Sequence, residues 1–160
     1  MDRRKFLKGT GALLAVLGVG RGSWVRAQAG AQVPTVEDVQ DLENLNKGLK
    51  EALGITFDRL EPSDQVRIGA PKIAESGANV PVEVVVDLPP AEVKGVHCFV
   101  DKNPFPHLFS TEFGPKAAES YFATRIRIAE TAPIRIVVET QDGRFLLASH
   151  VTRVTVGGCG

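Results

Sequence analysis

The chain has 160 residues, of which 43% are hydrophobic, with two cysteines and a formal balance of 19 basic against 19 acidic side chains. That length is one domain with room for a real apolar core and no need of disulfide staples. The balance hides an asymmetry: Arg3, Arg4, Lys5, Lys8, Arg21 and Arg26 face only Asp2 in residues 1–29, which leaves 13 basic and 18 acidic residues, a net of −5, over residues 30–160. Such an acidic surplus disfavours a nucleic-acid or anionic-membrane partner, because that binding rests on Lys and Arg neutralising phosphates.

Residues 1–29 read as a removable export signal. Asp2-Arg3-Arg4-Lys5-Phe6-Leu7-Lys8 is a basic start, and Gly9 to Gly20 is a mild apolar stretch of 12 residues. That is too short to cross a bilayer, which takes about 20 apolar residues. Ala27-Gln28-Ala29 then supplies the small residues of an A-x-A cleavage site. Arg3 and Arg4, followed by Phe6 and Leu7, fit the twin-arginine pattern. An uncleaved anchor is the weaker alternative, since Arg21 and Arg26 follow the apolar stretch and no stop-transfer run does. The expected location is the periplasm, with no membrane attachment after cleavage. Twin-arginine export carries folded cargo, which hints at a partner acquired before export.

Thr35 opens an amphipathic helix in which Val36, Val39, Leu42, Leu45, Leu49 and Leu53 recur at spacings of three and four. Thr35 is placed to cap it and Gly54 to end it. Its stripe is a face to be packed on the domain or on a partner chain. From Val66 onward the period switches to two. Val80 to Val86, Val96 to Val100, Tyr121 to Ile128, Ile134 to Val138 and Phe145 to Val156 are strands bounded by Gly, Pro, Asn or Asp. Gln141-Asp142-Gly143 joins the last two as a tight hairpin. Short strands without intervening helices predict an all-β, antiparallel β-sandwich over residues 30–156, with the last strand at the sheet edge leading into the C-terminal tail.

Most candidate chemistry is absent. His97, His107 and His150 stand on separate elements without a cysteine or acid at metal-ligand spacing. There is no Gly-rich phosphate turn, no G-x-S-x-G and no C-x-x-C. Asp101-Lys102-Asn103-Pro104-Phe105-Pro106 reads as a rigid turn. Phe99, Phe105, Phe109 and Phe113 are either core or an aromatic docking surface. Cys98 shares its strand parity with Val96 and Val100, so it points into the core; a bond from it to Cys159 would tie down the tail and is the weaker reading.

What remains is the tail, Gly157-Gly158-Cys159-Gly160. Glycines on both sides give a thin, flexible tether around one thiol, a segment that no packed core needs. A free cysteine, with a pKa of roughly 8.5, is only about 3% thiolate at pH 7. The tail offers no His or Lys to change that. Activation must then come from whatever receives the arm, so the thiol reads as a handle rather than a catalyst. The rival readings are a structural β-domain whose tail cysteine makes an intermolecular disulfide, and a thiol- or metal-dependent enzyme.

The tail Val156-Gly157-Gly158-Cys159-Gly160, the segments Val100-Asp101-Lys102-Asn103-Pro104 and Ala123-Thr124-Arg125-Ile126-Arg127, the β-domain and the twin-arginine leader together resemble the SoxY family of sulfur carriers. The resemblance implies an immunoglobulin-like sandwich paired with a SoxZ-like subunit and no cofactor of its own. It implies that Cys159 carries the sulfur substrate covalently on the swinging arm Gly157, Gly158 and Gly160. A haem-bearing SoxAX-like enzyme would conjugate thiosulfate to it, a dimanganese SoxB-like enzyme would release sulfate, and a SoxCD-like sulfane dehydrogenase, where present, would oxidise the remaining sulfur. The family tail commonly ends Gly-Gly-Cys-Gly-Gly, and the sequence here ends Gly-Gly-Cys-Gly; the expectation is that a terminal carboxylate nearer the thiol would disfavour the thiolate.

Overall fold

The computed structural model of the chain describes residues 39–156. The expected export signal over residues 1–29, the expected helix start at Thr35 and the expected arm at residues 157–160 lie outside the described residues. Helix α1 spans Val39–Leu53 and carries Asp41 in its first turn and Lys50 in its last, in the sense that complements the helix dipole. It stops at Gly54, whose φ of +69° is a left-handed conformation that glycine adopts without strain, and whose N–H donates to the Lys50 carbonyl at 3.0 Å.

Nine strands follow among the described residues: β1 Glu61–Pro62, β2 Val66–Gly69, β3 Ile73–Ser76, β4 Val80–Val86, β5 Val93–Val100, β6 His107–Thr111, β7 Ser120–Ile126, β8 Ala132–Thr140 and β9 Phe145–Val156. They form two sheets. One has six strands in the order β1-β9-β8-β5-β6, with β3 also on β9; the other is the antiparallel three-stranded β2-β4-β7. β4 shows why they face each other: Val80, Val82, Val84 and Val86 are buried while Pro81 and Glu83 are exposed, a strict period of two. These valines share one core with Val96, Cys98, Val100, Ile134, Ile136, Val138 and Leu146. Each such side chain, fully buried, is worth about 1.5–3 kcal/mol.

The opposite face of the larger sheet is roofed by α1. Leu45 and Leu49 are fully buried there with Leu60, Phe99, Val137 and Leu147. Leu45, Leu49 and Leu53 of the helix stripe therefore pack on their own domain. Covered on both faces, β5 is buried at every position but Lys94, which accounts for its nearly unbroken apolar run. The β8–β9 hairpin turns at Gly143, φ +84°, with its N–H on the Thr140 carbonyl at 3.0 Å.

Three expectations are corrected. The larger sheet is mixed, since β1 and β3 run parallel to β9. Nor is β9 a bare edge: β8 pairs one side through Thr152, and β1 and β3 pair the other at Leu146–Leu147 and from Arg153 to Val156. A strand of 12 residues left open would expose a long row of unpaired backbone groups, and two short strands cover it instead. The strand expected at Tyr121–Ile128 ends at Ile126, although Ile128 keeps the inward parity and is fully buried.

The arm root and the end of the sandwich as candidate functional site

The predicted site residues Gly157, Gly158, Cys159 and Gly160, and the export residues Arg3, Arg4, Phe6 and Leu7, lie outside the described residues. What is described is the strand end that precedes residues 157–160, the arm root. β8 accompanies β9 as far as the pair Ala132 and Thr152. Beyond it β3 takes over, in the register Ile73 with Arg153, Ala74 with Val154 and Ser76 with Val156. The Arg153 N–H donates to the Lys72 carbonyl at 2.9 Å, and the Gly77 N–H donates to the Val156 carbonyl at 3.1 Å. Threonines complete the clamp: Thr152 Oγ1 donates to the Pro71 carbonyl at 2.9 Å, Thr155 Oγ1 to the Glu75 carbonyl at 3.0 Å, and the Val154 N–H to Thr131 Oγ1 at 3.0 Å. The backbone is thus fixed up to Val156, whose side chain is 65% exposed.

The β registers bring three loops to the same end of the sandwich, because β3 and β9 finish there while β4, β6 and β8 begin there. They are residues 77–79, 101–106 and 127–131. Asn103 joins two of them: its Nδ2 donates to the Arg127 carbonyl and its Oδ1 accepts from the Ala129 N–H, both at 2.9 Å. Asn44 of α1 donates to the carbonyls of Asp101 and Asn103, both at 2.9 Å. The Ile128 N–H donates to the Gly77 carbonyl at 2.8 Å, which ties the third loop in. Below them, Asp101 accepts from Arg135 Nε at 2.8 and 2.9 Å and from Nη2 at 2.6 Å, with both side chains inaccessible to solvent. Arg135 Nη1 donates to Ser149 Oγ at 3.1 Å, and its guanidinium carbon stands 5.3 Å from the centre of the Phe57 ring. Burial pushes the Asp101 carboxyl up from the ordinary carboxylate value, and the bidentate arginine pulls against that.

The turn at Asp101–Pro106 is rigid as expected, but neither the Asn103 brace nor the Asp101–Arg135 pair was among the expected site residues. An arginine inside the apolar run Ile134-Arg135-Ile136 was the available signal: a strand buried on both faces tolerates it only with a partner. Of the four phenylalanines considered, Phe99 is fully buried, Phe109 and Phe113 pack against the core and against Phe122, and Phe105 is 82% exposed.

Cys98 is fully buried, and the loss of solvent pushes its thiol up to about 12, which leaves it without nucleophilic character at neutral pH. His97 and His107 stand on separate elements, β5 and β6, as expected, and meet through Ser110. Its Oγ lies 2.6 Å from His97 Nδ1 and 3.0 Å from His107 Nε2. Burial foremost lowers the His97 pKa, against the pull of Glu139. His150 is half-buried on β9. Among the described residues no group of three or more His, Cys, Asp or Glu side chains is arranged to hold a metal ion. Among them, too, no helix is long and apolar enough to cross a membrane.

The family model described as "Sulfur oxidation protein SoxY" matches residues 50–159, well over half of the chain. The chain belongs to the SoxY family. The match spans β1 to β9 and continues through residue 159. Among solved structures, the sulfur carrier protein SoxY from Chlorobium limicola f thiosulfatophilum superposes with a TM-score of 0.60 at 27% identity, over 71% of this chain and 98% of that one. A single-residue variant of the superoxide reductase (neelaredoxin) from Ignicoccus hospitalis superposes with a TM-score of 0.52 at 16% identity, over 62% of this chain and 98% of that one, a likeness of fold alone. No curated protein matches the chain. Membership of the SoxY family supports a sulfur-carrier role.

Proposed function

We propose that the chain is a non-catalytic carrier whose Cys159 holds thiosulfate-derived sulfur on a swinging arm, presented by an immunoglobulin-like sandwich in the periplasm after twin-arginine export. Loading joins the Cys159 sulfur to the sulfane sulfur of thiosulfate. The thiol and S2O3²⁻ give Cys159–S–S–SO3⁻, one proton and two electrons, and a SoxAX-like haem enzyme accepts the electrons. Water then cleaves the terminal sulfone in a SoxB-like site, leaving the Cys159 persulfide anion, sulfate and two protons. A SoxCD-like enzyme, where present, oxidises the remaining sulfane sulfur. These species are reversible caps on one sulfur. A SoxZ-like subunit forms a heterodimer with the chain throughout.

The observation that carries this reading is the fixed strand end at Val156, directly before the glycine-flanked cysteine of the sequence. The backbone up to it belongs to a clamped strand, and the next residues are Gly157-Gly158-Cys159, within the family match. A fixed strand end followed in sequence by glycines around one cysteine suits delivery of one atom to a recessed site. Replacing Cys159 by Ser in the heterodimer, mixed with the loading and sulfate-releasing enzymes, is expected to reduce thiosulfate-dependent electron release to background. Unchanged electron release would overturn the proposal.

A further inference from the structure

The carrier reading imposes a geometric demand. Three residues lead from Val156 to Cys159, and at about 3.3–3.6 Å each they span about 10 Å. An active site that receives the thiol must come that close to Val156, so its rim covers the end of the sandwich described above. On that end stands Phe105, at 82% the most exposed of the large hydrophobic side chains described.

A single exposed apolar residue is ordinary; the support beneath this one is not. Phe105 sits between Pro104 and Pro106 in a turn closed by the Val100 N–H on the Pro106 carbonyl at 2.9 Å. Pro106 is buried against α1 at Gly48, where an added Cβ would come within 2.9 Å of the proline ring. Asn103 on the other flank is pinned by the bonds to Arg127 and Ala129. The ring is therefore held out by backbone that cannot collapse around it. It is also tied to the arm: from Asn103 to the Arg127–Ala129 backbone, from Ile128 to Gly77 and from Gly77 to Val156, three hydrogen-bonded steps join the Phe105 turn to the arm root. A rigid aromatic on a rigid platform loses little freedom on binding, the profile of an interface hot spot.

We propose that Phe105 is the anchor by which the sulfur-loading enzyme docks on the arm-bearing end, seated in an apolar pocket of that enzyme beside the mouth of its active site. The inference rests on the carrier reading. The test uses the mature heterodimer, purified loading enzyme and thiosulfate, with adduct formation on Cys159 followed by mass against carrier concentration. In Phe105→Ala the apparent KM for the carrier rises about tenfold or more, the scale of losing one buried aromatic anchor, while the saturated rate and the alkylation of Cys159 by iodoacetamide stay within about twofold of wild type, as expected of a residue remote from the bond being made. Phe105→Tyr restores the wild-type KM. Tyr121→Ala, at the opposite end, where Tyr121 pairs with Val85, leaves it unchanged. A wild-type KM in Phe105→Ala, or loss of the partner subunit with normal loading of what remains paired, would overturn the anchor alone. A wild-type carrier that takes up no adduct would overturn the carrier reading and the anchor with it.

Discussion

At Cys98, β5 is paired with β8 on one side and β6 on the other, lies above a valine-rich second sheet and is roofed by α1. Beyond Thr152, β9 has left β8 behind and is held by β3 on one side and, at Val154, by Thr131 on the other. The same sheet thus contains a thiol silenced by complete burial and a strand end that leads to a second thiol through glycines. Cys98, free and buried, serves packing, and the proposed role of Cys159 rests on its place in the sequence after the clamped strand end.

The largest loss is expected from attacking what secures the β5 end. Asp101→Ala strands the Arg135 guanidinium in the interior, and losing one partner of a buried pair costs about 3–5 kcal/mol. Calorimetry should show Tm falling by about 10 °C or more. A fall of a degree or two would mean that water reaches Arg135.

Next in size is the contrast between the two cysteines themselves. Cys98→Ser places a hydroxyl where the thiol touches only core, at a cost of about 1–3 kcal/mol, whereas Cys159→Ser should leave Tm unchanged. Equal losses would contradict the division of roles. A smaller effect is expected at the root: Thr131→Val removes the acceptor of the Val154 N–H. Amide exchange at Val154 should speed up while exchange at Val96–Val100 stays slow, which distinguishes a local clamp from global loosening.

The smallest effect concerns pH. The folded state holds the His97 pKa below its ordinary 6.5, chiefly by burial. Below that value the unfolded chain binds the proton more readily, so stability falls as the pH is lowered through 6.5 and levels off beneath the folded pKa. His97→Gln should flatten that part of the curve; an unchanged slope would place the titration elsewhere.

Local periodicity made much of this legible. The alternation in Val80–Val86, the β-branched run from Phe145 to Val156, the Asp142-Gly143 turn and the inward parity of Cys98 all stand in the structure as read, because each depends on which way neighbouring side chains point. Contacts that join distant segments carried no such signature. β1 and β3 are two and four residues long with one buried position between them, too short to show a period. Asp101 and Arg135 are 34 residues apart, and Asn103 reaches Arg127 across 24. The exposed Phe105 looked no different in sequence from the buried Phe99. For the proposed arm the reverse holds: the reading rests on four consecutive residues of the sequence.

Peptide-resolved mass spectrometry of the heterodimer after exposure to thiosulfate and the loading enzyme, with Cys98 as internal control, decides whether Cys159 is the carrier thiol. A thiosulfonate or persulfide on the Cys159 peptide and unmodified Cys98 are the expected result; thiosulfate consumed with Cys159 bare, or an adduct on Cys98, would contradict it.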